Sequence, residues 1–222
     1  PPKKAKPVKD FFDGFNEVIL RLIDLIMLVA PYGVFALLAA LIVESPSLDL
    51  FRALGMYAMT LVIGLAVMGI FYLLLVRLFV KLKPKKFIEG IAPAQLLAFS
   101  TSSSAATLPV TMERVEEHLG VDEEVASFVL PIGATINMDG TSLYQAVAAV
   151  FIAQAFGMDL GAGTQLTIVM TATLASIGAA AVPGAGMVML VIVLAQAGIP
   201  EAGLALIFAI DRPLDMCRTV IN

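Results

Sequence analysis

Residues 204–222 read LALIFAIDRPLDMCRTVIN, and this stretch decides the fold. It begins as an apolar helix and then places Asp211, Asp215, Arg218, Thr219 and Asn222 at spacings that, at about 100° of turn per residue, fall within an arc of roughly 100°. One face of the helix is therefore polar and ionisable. In a bilayer each mid-depth charge costs about 2.5–3.5 kcal/mol on insertion scales, so that face must point into protein or a watery cavity. A bundle interior with such groups is a candidate binding site. An Asp–Arg ion pair stapling two helices is the plainer alternative, although two acids, an Arg, a hydroxyl and an amide exceed what a staple needs.

The composition fits a membrane premise. The chain is 59% hydrophobic and 14% charged, with a mean hydropathy of +0.95, whereas soluble domains carry about 25% charged residues. With no Trp in the chain, Tyr and Lys must anchor it at the interfaces. Cys217 is the only cysteine and His118 the only histidine, which excludes an internal disulfide, a Cys/His metal cluster and a Cys–His nucleophile pair. Cys217 reads as an apolar filler, and His118 as a surface residue of ERVEEHLGVDEE.

Residues 1–10 form a basic, Pro-rich cytoplasmic lead-in without the apolar core of a signal peptide. Residues 11–45 carry a first transmembrane helix, with Arg21 and Asp24 three apart and a kink permitted at Pro31 and Gly33. After a turn at 44–49, residues 56–82 carry a second span. Lys3, Lys4, Lys6 and Lys9 precede the first span, and Arg77, Lys81, Lys83, Lys85 and Lys86 follow the second. The positive-inside rule places both clusters in the cytoplasm.

Residues 86–120 are two short apolar arms about Ser100, Thr101, Ser102, Ser103 and Ser104. Arms too short to span, joined by a polar tip, suggest a re-entrant hairpin. One interrupted span with Ser and Thr as interhelical glue is the alternative. Residues 124–156 are long enough to cross, but GATINMDGT at 133–141 is poor helix material with a carboxylate near mid-membrane. Unwound carbonyls with Asn and Asp oxygens suit a hard cation such as Na⁺. A kink with a buried, hydrogen-bonded Asp139 is the alternative. Residues 164–198 repeat the short-arm pattern about GAAAVPGAG, and residues 202–222 follow as the polar-faced helix. The fold class expected is an all-α membrane protein, with transmembrane helices and two re-entrant helical hairpins in an inverted repeat.

Ser102-Ser103-Ser104 ahead of AATLP at 105–109, NMDGT at 137–141, VPGAG at 182–186 and residues 211–222 together resemble the sodium-coupled glutamate/aspartate transporter family, the dicarboxylate/amino acid:cation symporters. The resemblance runs from Phe11 to the end. It implies a scaffold helix at 11–45, a transport-domain helix at 56–82, and a substrate site in which Arg218 holds the ligand's side-chain carboxylate, with Thr141 and Gly186 completing the pocket. Asp215 takes the amine, helped by the carbonyls of Ser102 and Val182. Ser104 and Asn222 hold the α-carboxylate, Asp211 orients Arg218, and Thr219 belongs to the same substrate face. Sodium falls to Asn137 and Asp139 with the carbonyls of Gly133 and Asn222. A further sodium site uses the carbonyls of Thr135, Ser176, Ile177 and Ala179, and Met138 links the sites.

Arg218 selects acidic amino acids within the family, and Asp215 weighs against a plain dicarboxylate, which it would repel. Gln145 stands where animal members carry a glutamate tied to proton and potassium coupling, so sodium-only coupling of the prokaryotic type is implied. The resemblance further implies alternating access, Na⁺ as a co-transported ion rather than a catalytic cofactor, a homotrimer in a bacterial or archaeal inner membrane, and no nucleic-acid partner. Helices that precede the first span in the family, and a further sodium-binding aspartate after residue 222, are not in this sequence, so it reads as part of a longer transporter with an incomplete cation set. The competing class is a channel or structural membrane subunit whose polar helix face lines a pore. An intramembrane protease built on Asp139, Asp215 and Ser104 lacks a paired catalytic signature, and no enzyme is expected.

Overall fold

A computed structural model describes residues 6–44 and 48–222 and is helical throughout, with no strand among the described residues. The chain divides into two compact units, residues 1–46 and 47–222. The first holds one uninterrupted helix, α1 (Lys6–Glu44), about 58 Å long at 1.5 Å per residue. Lys6 and Lys9 lie inside this helix instead of in a separate lead-in. Arg21 is exposed, whereas the side chains of Asp24 and Pro31 lie outside the described residues, as do Lys3 and Lys4.

The second unit opens with α2 (Leu48–Leu75), which continues as a π-helical turn over Val76–Val80. Of the turn expected at 44–49, Glu44, Leu48 and Asp49 are helical, and the carboxylate of Asp49 in the first turn of α2 complements the helix dipole. Residues 45–47 lie outside the described residues. Phe51–Val80 is, among the described residues, the one helix long and apolar enough to cross a membrane. Its outer face leaves Met59, Ile63, Val67, Ile70 and Leu74 exposed, a stripe that water does not favour.

Four more helices form two pairs. α3 (Pro84–Thr101) packs back along α4 (Ser104–Glu117), and α7 (Ala162–Ile177) packs back along α8 (Ala185–Ala197). Far from the first tip, Arg114 Nε donates to the Gly90 carbonyl at 2.7 Å, which ties the two arms together. Between the pairs, α5 (Glu123–Ile136) and α6 (Asp139–Ala155) are separated at Asn137 and Met138, where Gly, Asn and Asp give the helix least support. A 3₁₀ turn (Glu201–Gly203) leads into α9 (Leu204–Ile221).

One apolar core takes Leu61 and Leu65 from α2, Ala148 and Ile152 from α6, Ile168 and Ala172 from α7, Leu190 and Leu194 from α8, and Ile207 and Leu214 from α9. Van der Waals packing across this core holds α9 against α6. The polar face of α9 is thereby turned inward, and Asp211, Asp215, Arg218 and Thr219 are all buried.

Candidate functional site

Arg218 is the most enclosed charge in the molecule's described part, with 1% of its surface exposed. The helical spacing of α9 supplies its partners: Nε donates to Asp215 Oδ1 at 2.8 Å, and Nη1 donates to Asp211 Oδ1 at 2.9 Å. From α6, the Tyr144 ring lies under the guanidinium, 3.9 Å from Cζ to the ring centre, a cation–π contact strengthened by desolvation. Nη2 is buried without a hydrogen-bond partner. Two N–H donors of a buried cation are thus left for a ligand, and leaving them unfilled is unfavourable.

The tip of the α7–α8 pair closes over this point. Gly184, at φ +76°, adopts a left-handed conformation that glycine takes without a Cβ penalty, and its N–H donates to Asp215 Oδ2 at 2.9 Å. Gly186 comes so close that a Cβ there would lie 3.3 Å from Arg218 Nη2 and 3.0 Å from Thr141 Cγ2. Gln145 Nε2 donates to the Gly186 carbonyl at 3.0 Å, and its Oε1 is buried and unpartnered. Arg212 stands at the rim, a third exposed, with Nη1 3.9 Å from Asp215 Oδ2.

The two tips touch. Ser103 Oγ donates to the Ala181 carbonyl at 2.8 Å, and the Ala105 N–H donates to the same carbonyl at 3.2 Å. Ser103 also caps α4 by accepting from the Ala106 N–H. Ser102 is buried at φ +53° with its Oγ unpartnered. Few non-glycine residues adopt this left-handed conformation.

The end of α9 is laced to the broken helix. Asn222 Nδ2 donates to Thr141 Oγ1 at 2.9 Å, the Thr141 N–H donates to Asn222 Oδ1 at 3.2 Å, and Asn137 Nδ2 donates to the Asn222 carbonyl at 3.3 Å. Gly140 permits this approach, since a Cβ there would lie 2.7 Å from the Arg218 carbonyl oxygen. Ser104, Gly133, Asn137, Thr219 and Asn222 line one cavity of about 470 Å³. Met138 is buried against Ala179 and Ala181 of the second tip. Asp139 Oδ2 accepts a hydrogen bond from the Tyr72 hydroxyl of α2.

The structure therefore gathers Arg218, Asp211, Asp215, Thr141 and Gly186 in one place, with Ser102 at the first tip and Asn222 reaching Thr141. The Val182 carbonyl, expected beside an amine, accepts the Ala185 N–H at 3.4 Å within its own turn. The Gly133 carbonyl accepts the Asn137 N–H, and the Ser176 carbonyl accepts the Ala179 N–H. Thr135 and Ile177 are exposed. No group of three or more His, Cys, Asp or Glu side chains is gathered among the described residues.

Tyr144 and Tyr72 were not among the residues singled out from sequence, and Ser103 was read only as part of the polar tip, with no role of its own. Thr141, Tyr144, Gln145 and Ala148 follow a three- and four-residue spacing on α6, and that face would have revealed Tyr144.

The chain matches the family model described as the sodium:dicarboxylate symporter family over residues 2–222. Excitatory amino acid transporter 1 of Ambystoma tigrinum is 49% identical over 222 residues, covering 99% of this chain and 41% of that protein. Excitatory amino acid transporter 3 of Homo sapiens is 48% identical over 221 residues, with 99% and 42% covered. Excitatory amino acid transporter 2 of Homo sapiens is 46% identical over 221 residues, with 99% and 38% covered. The chain thus spans about two-fifths of the length of these relatives. Its identity with them over that span, and the family match across nearly every residue, lead to one statement: the chain belongs to the sodium:dicarboxylate symporter family.

Proposed function

We propose that the protein carrying this chain is a multi-pass plasma-membrane transporter that couples sodium to the symport of an acidic amino acid, aspartate or glutamate, by alternating access. One observation carries the proposal: the buried Arg218 guanidinium keeps its Nη2 donors free beside Gly186, where the two tips meet. An anionic group fits those donors, and a guanidinium holds a carboxylate with directional, charge-assisted bonds. The names of the relatives, excitatory amino acid transporters, agree with this chemistry.

In this reading the ligand's ammonium meets Asp215 and replaces the Gly184 N–H at Oδ2, while Ser104 and Asn222 take the α-carboxylate. Binding at Oδ2 thereby bears directly on the tip that Gly184 belongs to, which gives the ligand a handle on a gate. Sodium binds at Asn137 and Asp139 with the carbonyls of Gly133 and Asn222, and at the carbonyls of Thr135, Ser176, Ile177 and Ala179, with Met138 between the sets. The helix pairs are re-entrant hairpins in an inverted repeat, the whole protein is a trimer, and Gln145 in place of an acid makes the coupling sodium-only. A plain dicarboxylate is disfavoured by the excess of acid at Asp211 and Asp215.

The test is a calorimetric titration of L-aspartate and L-glutamate into the full-length protein, with Na⁺ and with choline replacing it. Binding that requires Na⁺ and disappears in Arg218→Ala is expected. Binding indifferent to Na⁺, or retained in Arg218→Ala, refutes the proposal.

A further inference from the structure

Asp139 opens α6 at the break in the crossing helix, and one of its two carboxylate oxygens already has a fixed partner. That partner is the hydroxyl of Tyr72, which comes from α2, a helix from which no site residue was expected. Beside the pair lies a cavity of about 370 Å³ whose polar lining is Tyr72, Gln95 and Asn137, set among apolar Leu73, Ile88 and Ile91. Asn137 donates through Nδ2 to the Asn222 carbonyl, which leaves its own Oδ1 as an acceptor. The Tyr72 bond likewise leaves Asp139 Oδ1 as an acceptor.

We propose that Tyr72 is a positioning residue for the cation at Asp139, holding Oδ2 so that Oδ1 and the Asn137 side-chain oxygen are presented together to the ion. The inference rests on the sodium site proposed above. Tyr72 need not touch the ion. A phenol donating to a carboxylate withdraws a little of its charge, which by itself weakens cation binding. Against this, outer-shell partners that orient ligating groups typically contribute 10–100-fold in metal affinity, so orientation prevails and loss of the hydroxyl weakens the site. A break in a helix also leaves its side chains more ways to turn than a continuous helix does, so an external clamp is worth most at this point.

The experiment uses the full-length protein and the variant Tyr72→Phe, which keeps the ring. Na⁺ alone, without amino acid, is titrated against the thermal unfolding midpoint. The Na⁺ concentration for half-maximal L-aspartate binding is measured in parallel, and both readouts are repeated in Asp139→Asn and in the double variant. Tyr72→Phe is expected to move both Na⁺ curves to about tenfold higher concentration or beyond, with aspartate affinity at saturating Na⁺ unchanged within about twofold, and to move neither curve further in Asp139→Asn. Superimposable Na⁺ curves for Tyr72→Phe and the unsubstituted protein overturn the inference, as does an equal shift with and without Asp139, which marks a structural role only. If the unsubstituted protein shows no Na⁺ response, the proposed transport function itself falls.

Discussion

Gly186→Ala is the sharpest single test of the proposed anion pocket. The added methyl would lie 3.0 Å from Thr141 Cγ2, 3.3 Å from Arg218 Nη2 and 3.4 Å from Cζ, closer than the 3.5–4.0 Å at which carbon atoms sit comfortably. The tip must therefore retreat by a few tenths of an ångström, at a cost of about 1 kcal/mol for mild overpacking. Gly186 lies in the first turns of α8, where alanine regains up to about 1 kcal/mol of helix propensity, and the two effects nearly offset in stability. They do not offset at the ligand. The methyl covers Nη2, and losing a charge-assisted hydrogen bond costs about 1.5–3 kcal/mol, which at 1.4 kcal/mol per decade is about ten- to hundredfold in affinity. Calorimetric titration of L-aspartate at saturating Na⁺ reads this directly, with the Na⁺-only thermal shift as the control. Weaker aspartate binding with an unaltered Na⁺ response is expected. An alanine variant that binds aspartate as tightly as the parent would refute the assignment of Nη2 to the ligand.

Two further perturbations address what holds the site together. Asp211→Asn keeps an acceptor for Arg218 Nη1 but removes the charge, and the difference between charged and neutral hydrogen bonds predicts a loss of about 1–2 kcal/mol in unfolding free energy, measured by denaturant unfolding of the full-length protein in detergent; an unchanged midpoint would show that Asp215 alone satisfies the guanidinium. Ser103→Ala removes both the α4 cap and the bond to the Ala181 carbonyl, so about 1–2 kcal/mol of local stability should be lost, visible as faster amide exchange at Ala105 and Ala106, while exchange in α2 stays as it was.

Local chemistry made part of this fold legible. The inward face of α9 follows from residue types at helical spacing, and the interruptions at Ser102–Ser103 and at Asn137–Met138 fall where Ser, Asn, Gly and Asp support a helix least. The start of α2 was less legible, because Leu48 and Asp49 look like turn residues beside Pro46 although Asp49 is a good first-turn residue. Contacts between distant elements were not legible. Ser103 meets Ala181 across 78 positions, and Tyr72 meets Asp139 across 67, and nothing in a serine or a tyrosine names its partner at that range. Tyr144 is an intermediate case. Its ring beneath Arg218 depends on how α6 packs on α9, yet its place one turn after Thr141 is visible in the sequence.

The charge balance of the site would link the two ligands proposed for it. Asp211 and Asp215 face a single buried guanidinium, which leaves one negative charge in excess, and Asp139 adds another whose described partner is a neutral phenol. Arg212 offsets part of this only from the rim, at 3.9 Å and a third exposed. An acidic amino acid itself carries one net negative charge, so an empty site of this composition repels the ligand proposed for its guanidinium. At separations of about 6–8 Å and an effective dielectric constant of about 20, one such repulsion is worth about 2–3 kcal/mol. A cation that neutralises the excess therefore raises the affinity for an anionic ligand by about 30–150-fold without touching it. Linkage makes the effect reciprocal, so the ligand raises the affinity for the cation by the same factor. Coupling of this kind needs no conformational relay, and it should weaken when an acid is neutralised: in Asp211→Asn the Na⁺ dependence of aspartate binding becomes shallower, whereas a coupling carried only by the hinge of the tip would leave that dependence as steep as before.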